Sequence, residues 1–278
     1  MRLHFCGTRG STPVSGVPHG RYGGHTSCVA LAHDGGPPVL TLDAGTGLQQ
    51  LTPLLGDEPF RGTLLLGHLH WDHTHGMPFF LGGLRPGHRV EVVIPEQDAD
   101  AHEVLARAFS PPHFPVTPRE LGTGWSFRGI APGEHEIEGF EVLALEIPHK
   151  GGRTYGYRVS DGRVSIAYLS DHSPTGLGPG PDGLGAYHDS ALALAEGVDL
   201  LIHDAQHRVE EFPELEFLGH CVTEYPVRLA EKAGAKAVML FHHAPTRCDD
   251  EIDEMRDVFQ DRSLPVSAAY DGMVLDLT

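Results

Sequence analysis

The sequence predicts an α/β protein folded as one domain over residues 1–278, on three observations. Short apolar strand candidates give way to amphipathic helices in each half of the chain. Tight-turn residues, 35 Gly and 22 Pro, punctuate them. Strands in both halves end in histidine or aspartate, which favours two halves sharing one site over two separate domains.

The elements follow in order. "RLHF" and "SCVALAH" are short strand candidates around "GTRGSTPVSGVPHGRYGGHT", which is too rich in Gly and Pro for regular structure. "PVLTLDAG" is a strand, and "TGLQQLTPLL" starts a helix after Gly45. "GTLLLGH" is a buried strand by its continuous apolar run, and "RVEVVIP" is another. "DADAHEVLARAF" is a helix that Asp98 or Asp100 can cap, with Val104, Leu105 and Ala108 on one face. "SPPHFPVTP", with four prolines in nine positions, reads as a stiff extended loop or lid near 109–120. Strands "FEVLALEIPH", "TYGYRVS" and "RVSIAYLSD" open the second half. Helix "GAYHDSALALAEG", strand "VDLLIHDA", helix "TEYPVRLAEKAG" and strand "AVMLFHH" follow. The acidic "DDEIDEMRDVFQD" reads as a solvated surface helix without a special role, and "VSAAYDG" and "VLDLT" close the chain.

Composition excludes several classes. Hydrophobic content of 40% fits a folded chain. No run approaches the ~18 apolar residues of a membrane span, and the N-terminus has no secretory pattern, so a soluble cytoplasmic protein without membrane contact is expected. Cys6, Cys28, Cys221 and Cys248 are scattered and form no C-x-x-C pair, as for reduced thiols. The net charge of −18, with no Lys/Arg cluster, makes long nucleic acid a poor partner.

The chemistry concentrates in "LLLGHLHWDHTHGMPFF". In extended chain, His68 and His70 project from one side with Leu69 on the other. A turn at Trp71 lets Asp72 and His73 face the same space. Imidazole suits zinc and a carboxylate completes a harder position, so two ligand sets this close suggest two metals.

The pattern H-x-H-x-D-H resembles the metal motif of the metallo-β-lactamase fold family, and the resemblance runs along essentially the whole chain. It implies an αββα four-layer sandwich, with two mixed β-sheets flanked by helices. It also implies later ligands at strand ends, matched by His149 in "EIPHK", Asp171 in "AYLSDHS" and His242 in "MLFHHAP". By that carry-over His68, His70 and His149 hold one zinc, Asp72, His73 and His242 the other, and Asp171 bridges them; Mn2+ or Fe2+ fit the same donors. His243, which alternation puts on the opposite side from His242, and His75, read as a loop residue or a support behind the ligands more than as a ligand, stay open as contributors to the site. Asp43 in "LTLDAG" matches a family aspartate beside the metals, an acceptor for a ligand imidazole or else a residue that turns the chain.

Further stretches select a branch. "LLIHDAQH" and "FLGHCVTE" resemble the acid-containing and "GHST" motifs of the tRNase Z-like phosphodiesterases, with "GTRGSTP", "GGHTSCVAL", "LDAGTGL" and "PHKGGRTYGYRV" in accord. There the acid, here Asp204, pairs with a histidine, here His220, that faces the scissile phosphate. The catalytic set implied is Asp72, Asp204 and His220, acting with a hydroxide that bridges the metals. Cys221 replaces a common serine, so its hydroxyl is lost, and no long basic insertion for gripping tRNA is present. A small phosphodiester is therefore expected: a cyclic phosphate, a cyclic nucleotide or a short oligonucleotide. The branch commonly forms homodimers. The rival readings are hydrolysis of a carboxylic ester, thioester or lactone, which needs the metals but not His220 and Asp204, then tRNA 3′ processing, and a non-catalytic metal-binding protein. Phe79, Phe80, Phe109 and Phe114 are candidates for lining a pocket or for packing, Arg9 for a phosphate contact or an exposed turn, and Tyr155 and Tyr157 for packing on one sheet face.

Overall fold

The apolar strands pair into two seven-stranded sheets in the computed structural model, which describes residues 1–278. The first sheet takes β1 (Arg2–Gly7), β2 (Cys28–Ala32), β3 (Pro38–Leu42), β4 (Arg61–Leu65), β5 (Arg89–Pro95) and β6 (Trp125–Ile130). The second takes β7 (Gly133–Ile137), β8 (Phe140–Glu146), β9 (Tyr155–Ser160), β10 (Ser165–Leu169), β11 (Leu200–Asp204), β12 (Val238–Phe241) and β13 (Val266–Ala268). The last strand, β14 (Met273–Asp276), returns to the first sheet beside β1. Strands β3 to β6 run parallel, as do β10 to β13, and the remaining pairings are antiparallel.

Side-chain alternation explains the layering. On β2, Val29 and Leu31 face the second sheet while Cys28 and Ala30 face outward. On β10, Ile166 and Tyr168 face inward while Ala167 and Leu169 face helices. Those helices are α4 (Asp189–Ala195) and α6 (Glu224–Ala233), and the opposite outer face is covered by α1 (Leu51–Leu54), α3 (Ala101–Ala108) and the aromatic residues around Phe60 and Phe80. Short helices α2 (Trp71–Thr74) and α5 (Phe212–Leu215) and the acidic α7 (Asp249–Asp257) complete the set. The result is the expected αββα sandwich. No helix is long and apolar enough to cross a membrane. Asp100, not Asp98, caps α3, its side chain accepting from the His102 N–H at 3.0 Å.

Several expectations are corrected. Strands β6 and β7 went unread because each is a sheet-edge strand whose charged or polar side chains, such as Arg128, Glu134 and Glu136, dilute the apolar alternation. The Pro-rich stretch is a series of turns, not an extended loop, and it leads into a 3-10 turn with a Thr117–Glu120 capping box. After Gly45 the chain makes a 3-10 turn, Thr46–Gln50, before the single turn of α1. The acidic helix is not all solvated: Asp249 is buried and accepts from the backbone N–H of Arg21 and Tyr22.

Arg9 is neither a phosphate contact nor an exposed turn residue. It is fully buried, donating to the carbonyls of Gly23 and Arg247 at 2.8 Å, with Asp249 3.6 Å from its guanidinium. This cation ties the N-terminal Gly-rich segment to the C-terminal helix. Arg9→Ala strands those acceptors, and chemical denaturation should show a loss of roughly 3–5 kcal/mol. A loss within about 0.5 kcal/mol, the scale of surface changes, contradicts this reading.

Candidate metal centre

The carboxyl ends of the parallel strands in both sheets converge, where open α/β sheets place their sites. Asp43 follows β3, His68 follows β4, Asp171 follows β10, Asp204 ends β11 and His242 follows β12. The chain turns at Trp71 into α2, which swings Asp72 and His73 around to the space that His68 and His70 face. Three of the four non-glycine residues with left-handed backbone lie here, namely Ser11 (φ 61°), Asp43 (φ 63°) and His242 (φ 57°). Such strain gathers where structure around a site over-determines the backbone.

The seven expected ligands fall into two groups, and a third cluster joins His242 to Asp204 and His220. Single atoms of His68, His70, His149 and Asp171 lie within 4.8 Å of one another, and so do those of Asp72, His73, Asp171 and His242. Asp171 spans both. Its Oδ2 lies 3.6 Å from His68 Nε2 and 3.3 Å from His149 Nε2, and its Oδ1 lies 3.1 Å from His73 Nε2 and 3.0 Å from His242 Nε2. Asp72 Oδ2 is 3.2 Å from His73 Nε2 and 3.1 Å from His242 Nε2. The structure thus brings together all seven residues expected as ligands.

The imidazoles are oriented from behind. Asp43 accepts from His73 Nδ1–H, from the Gly67 N–H and from the Tyr168 hydroxyl, each at 2.7 Å. His149 Nδ1–H donates to the Gly219 carbonyl at 2.8 Å, and Gly219 holds that position in a left-handed conformation (φ 89°). The Gln206 amide lies 2.8 Å from His242 Nδ1. In each case the ring nitrogen left over points to Asp171. The buried Nε2 atoms of His68 and His73 have no hydrogen-bond partner at all. Buried polar atoms are costly to leave unpaired, so these orphaned, converging nitrogens and carboxylate oxygens fit divalent cations of the zinc type.

Electrostatics agree. Burial, with the neighbouring imidazoles, holds His68 well below the usual histidine range; burial also lowers His70 and His149. Neutral imidazole is the state that binds metal. His73 is the exception: burial opposes its proton, but Asp72, Asp43 and Asp171 together push it well above the usual range. Burial opposes the charge on Asp171 and Asp72 too, yet the surrounding histidines hold both well below the usual carboxylate range. Asp43→Asn keeps a side chain that tolerates left-handed backbone but loses the charge behind His73. A chelator competition should show metal affinity lower by about 10- to 100-fold; equal affinity removes Asp43 from this role.

At the rim, His220 Nδ1–H donates to Asp204 Oδ2 at 2.6 Å, leaving Nε2 as its free position. Burial acts to strip the His220 proton, but Asp204, then Asp171 and Asp72, outweigh it, and the ring is pushed up to about 9. The Cys221 thiol, standing where a serine was expected, still serves as a weak donor: its Sγ is 3.0 Å from the Asp204 carbonyl oxygen. A cleft of about 360 Å³ opens over this assembly, lined by Ser11, Leu69, His70, Trp71, Asp72, Asp171 and His220.

Other candidates lie elsewhere. His75 is exposed and stacked on Trp71, and His243 turns away to the Ala269 carbonyl at 2.8 Å. Phe80 and Phe109 are core residues, and Phe79 and Phe114 pack edge-to-face at 5.7 Å, so none lines the cleft. Tyr155 and Tyr157 do pack in the inter-sheet core. Three contributors escaped the sequence reading. Ser11 donates its backbone N–H to Asp72 Oδ2 at 2.6 Å, a role no side-chain pattern announces. Gly10 lies so close that a Cβ there would sit 2.4 Å from the Gln206 amide and 2.6 Å from the His242 ring. Gln206 itself stands two residues beyond Asp204, a strand-end position that signalled its neighbour and not itself.

Two seven-stranded sheets with paired His/Asp donor groups along one edge define a metal-dependent hydrolase centre. The beta-lactamase superfamily domain model matches residues 39–243, which contain every donor named above, and the chain belongs to that superfamily. A ribonuclease Z from Haloarcula marismortui is 23% identical over 317 residues, covering 98% of this chain and 96% of its own. The metallo-beta-lactamase fold protein YhfI from Bacillus subtilis superposes with a TM-score of 0.73 at 18% identity, over 99% of this chain and 98% of that one. A diphosphatase of the PhnP family superposes with a TM-score of 0.68 at 20% identity, over 100% and 98%. Beyond the superfamily, these likenesses at 18–23% identity say what the chain is similar to.

Proposed function

We propose that the chain hydrolyses a small phosphodiester, such as a cyclic phosphate, a cyclic nucleotide or a short oligonucleotide. The observation that carries this reading is the Asp204–His220 pair at 2.6 Å, set beside the donor groups, with Asp204 buried behind and His220 lining the same cleft. Hydrolysis of a thioester expels a thiolate, which leaves without a proton donor. The alkoxide expelled from a phosphodiester does need a proton.

His68, His70 and His149 would hold one divalent ion, Asp72, His73 and His242 a second, with Asp171 shared; zinc suits this donor set. When bound, such ions neutralise phosphate charge and lower the pKa of water toward neutrality. The chain's own groups do the rest. Asp204 fixes the His220 ring so that Nε2 carries the proton toward the cleft. His220 then donates to a phosphate oxygen or to the departing alkoxide. Ser11 and Asp43 keep Asp72 and His73 from rotating away, so the donors are set before substrate arrives. The net charge of −18 and the absence of a basic cluster support a short substrate over a long RNA. Supplying the metal-loaded protein with bis-aryl phosphate, cyclic nucleotides, short RNA and a tRNA precursor tests this directly. Turnover of the small diesters is expected; turnover of the tRNA precursor alone would overturn the assignment.

A further inference from the structure

Trp71 stands out among the large side chains of the molecule. It sits between the donors His70 and Asp72, lines the same cleft, and yet 66% of it is exposed. Its indole does not fold back onto the core. It lies nearly parallel to the His75 ring one helical turn on, with centroids 5.4 Å apart and planes 19° apart. His75 is thus a backing for the indole, which explains a histidine in the motif that reaches neither donor group. Apart from that stack, most of the side chain is exposed. The other tryptophan, Trp125, is the contrast: it is buried and donates its Nε1–H to the Gly83 carbonyl at 2.8 Å.

We infer that Trp71, braced by His75, is the specificity-determining platform of the site, and that it takes a nucleobase carried by the phosphodiester. This rests on the phosphodiester reading above. An exposed indole at the rim of a polar cleft gives a planar ring a stacking surface, and every base has a π-face to offer. The cleft volume of about 360 Å³ lies in the range of small-molecule sites, roughly 300–1,000 Å³. With net charge −18, stacking replaces the basic residues that commonly grip a nucleotide.

The test uses two diesters identical at phosphorus: the 5′-phosphate methyl ester of a nucleoside and that of ribose without a base. The metal-loaded protein should show a KM about 10-fold or more lower for the base-bearing ester. Trp71→Ala should erase that preference through KM, and Trp71→Phe should keep part of it. A bis-aryl phosphate distinguishes a nucleobase from any aromatic ring: an equal Trp71 dependence there overturns the nucleobase assignment. A nucleoside monophosphate should also quench tryptophan fluorescence where ribose 5-phosphate does not, and Trp71→Phe should lose the quench. Parallel loss of activity on both esters in Trp71→Ala, or an unchanged preference, overturns the inference. So does a shift in oligomer size on that substitution with the preference intact, which would mean that the indole packs against a second copy. Quenching without turnover of either ester leaves this platform standing and instead overturns the phosphodiesterase reading.

Discussion

Asp171→Asn is expected to abolish turnover, with a fall of roughly 10³-fold or more. The substitution keeps the shape and removes one charge, but that charge faces four imidazoles from two sides. Oδ2 lies 3.3 Å from His149 Nε2 and 3.6 Å from His68 Nε2, and Oδ1 lies 3.0 Å from His242 Nε2 and 3.1 Å from His73 Nε2. No other residue belongs to both donor groups. An amide cannot present two anionic oxygens, so metal content after dialysis should fall along with the rate. Elemental analysis with the substrate assay checks both. A variant that retains its metal and loses less than about tenfold in rate would mean that Asp171 does not bridge.

His220→Ala is expected to cut phosphodiester turnover by roughly 10²-fold or more while metal content stays close to that of the parent. The ring is not in either of the two donor groups that share Asp171; it stands 4.0 Å from Asp171 Oδ2 and is tied to Asp204 at 2.6 Å. Its loss should therefore appear in the chemical step. A diester with a phenolic leaving group, which departs without help, should be much less affected than one with an alkyl leaving group. Equal losses on the two would place His220 on a phosphate oxygen and not on the leaving atom. An unchanged rate on both would remove it from catalysis.

Much of the centre was legible in the sequence because its donors follow apolar strands. Leu64–Leu66 before His68, "IAYL" before Asp171 and "VMLF" before His242 are continuous apolar runs, and each leads to a polar side chain that burial alone would not favour. The sheet order was not legible in that way. Edge strands β6 and β7 carry Arg128, Glu134 and Glu136, and their apolar period is too broken to read. Arg9 lay in a Gly/Pro-rich segment that reads as exposed turn, and only the fold brings the carbonyls of Gly23, Ala244 and Arg247 around it. Ser11 acts through its backbone, which no side-chain pattern records. Trp71 was visible as a residue, but its exposure over the cleft depends on the turn of α2 and the stacking of His75.

The most direct test is one competition assay on the metal-loaded protein, comparing kcat/KM for a cyclic nucleotide, whose leaving group is an alkoxide, with that for a thioester and a lactone. A phosphodiester hydrolase built around Asp204 and His220 should turn over the phosphate ester with the highest kcat/KM of the three. Turnover confined to the thioester or the lactone would contradict it.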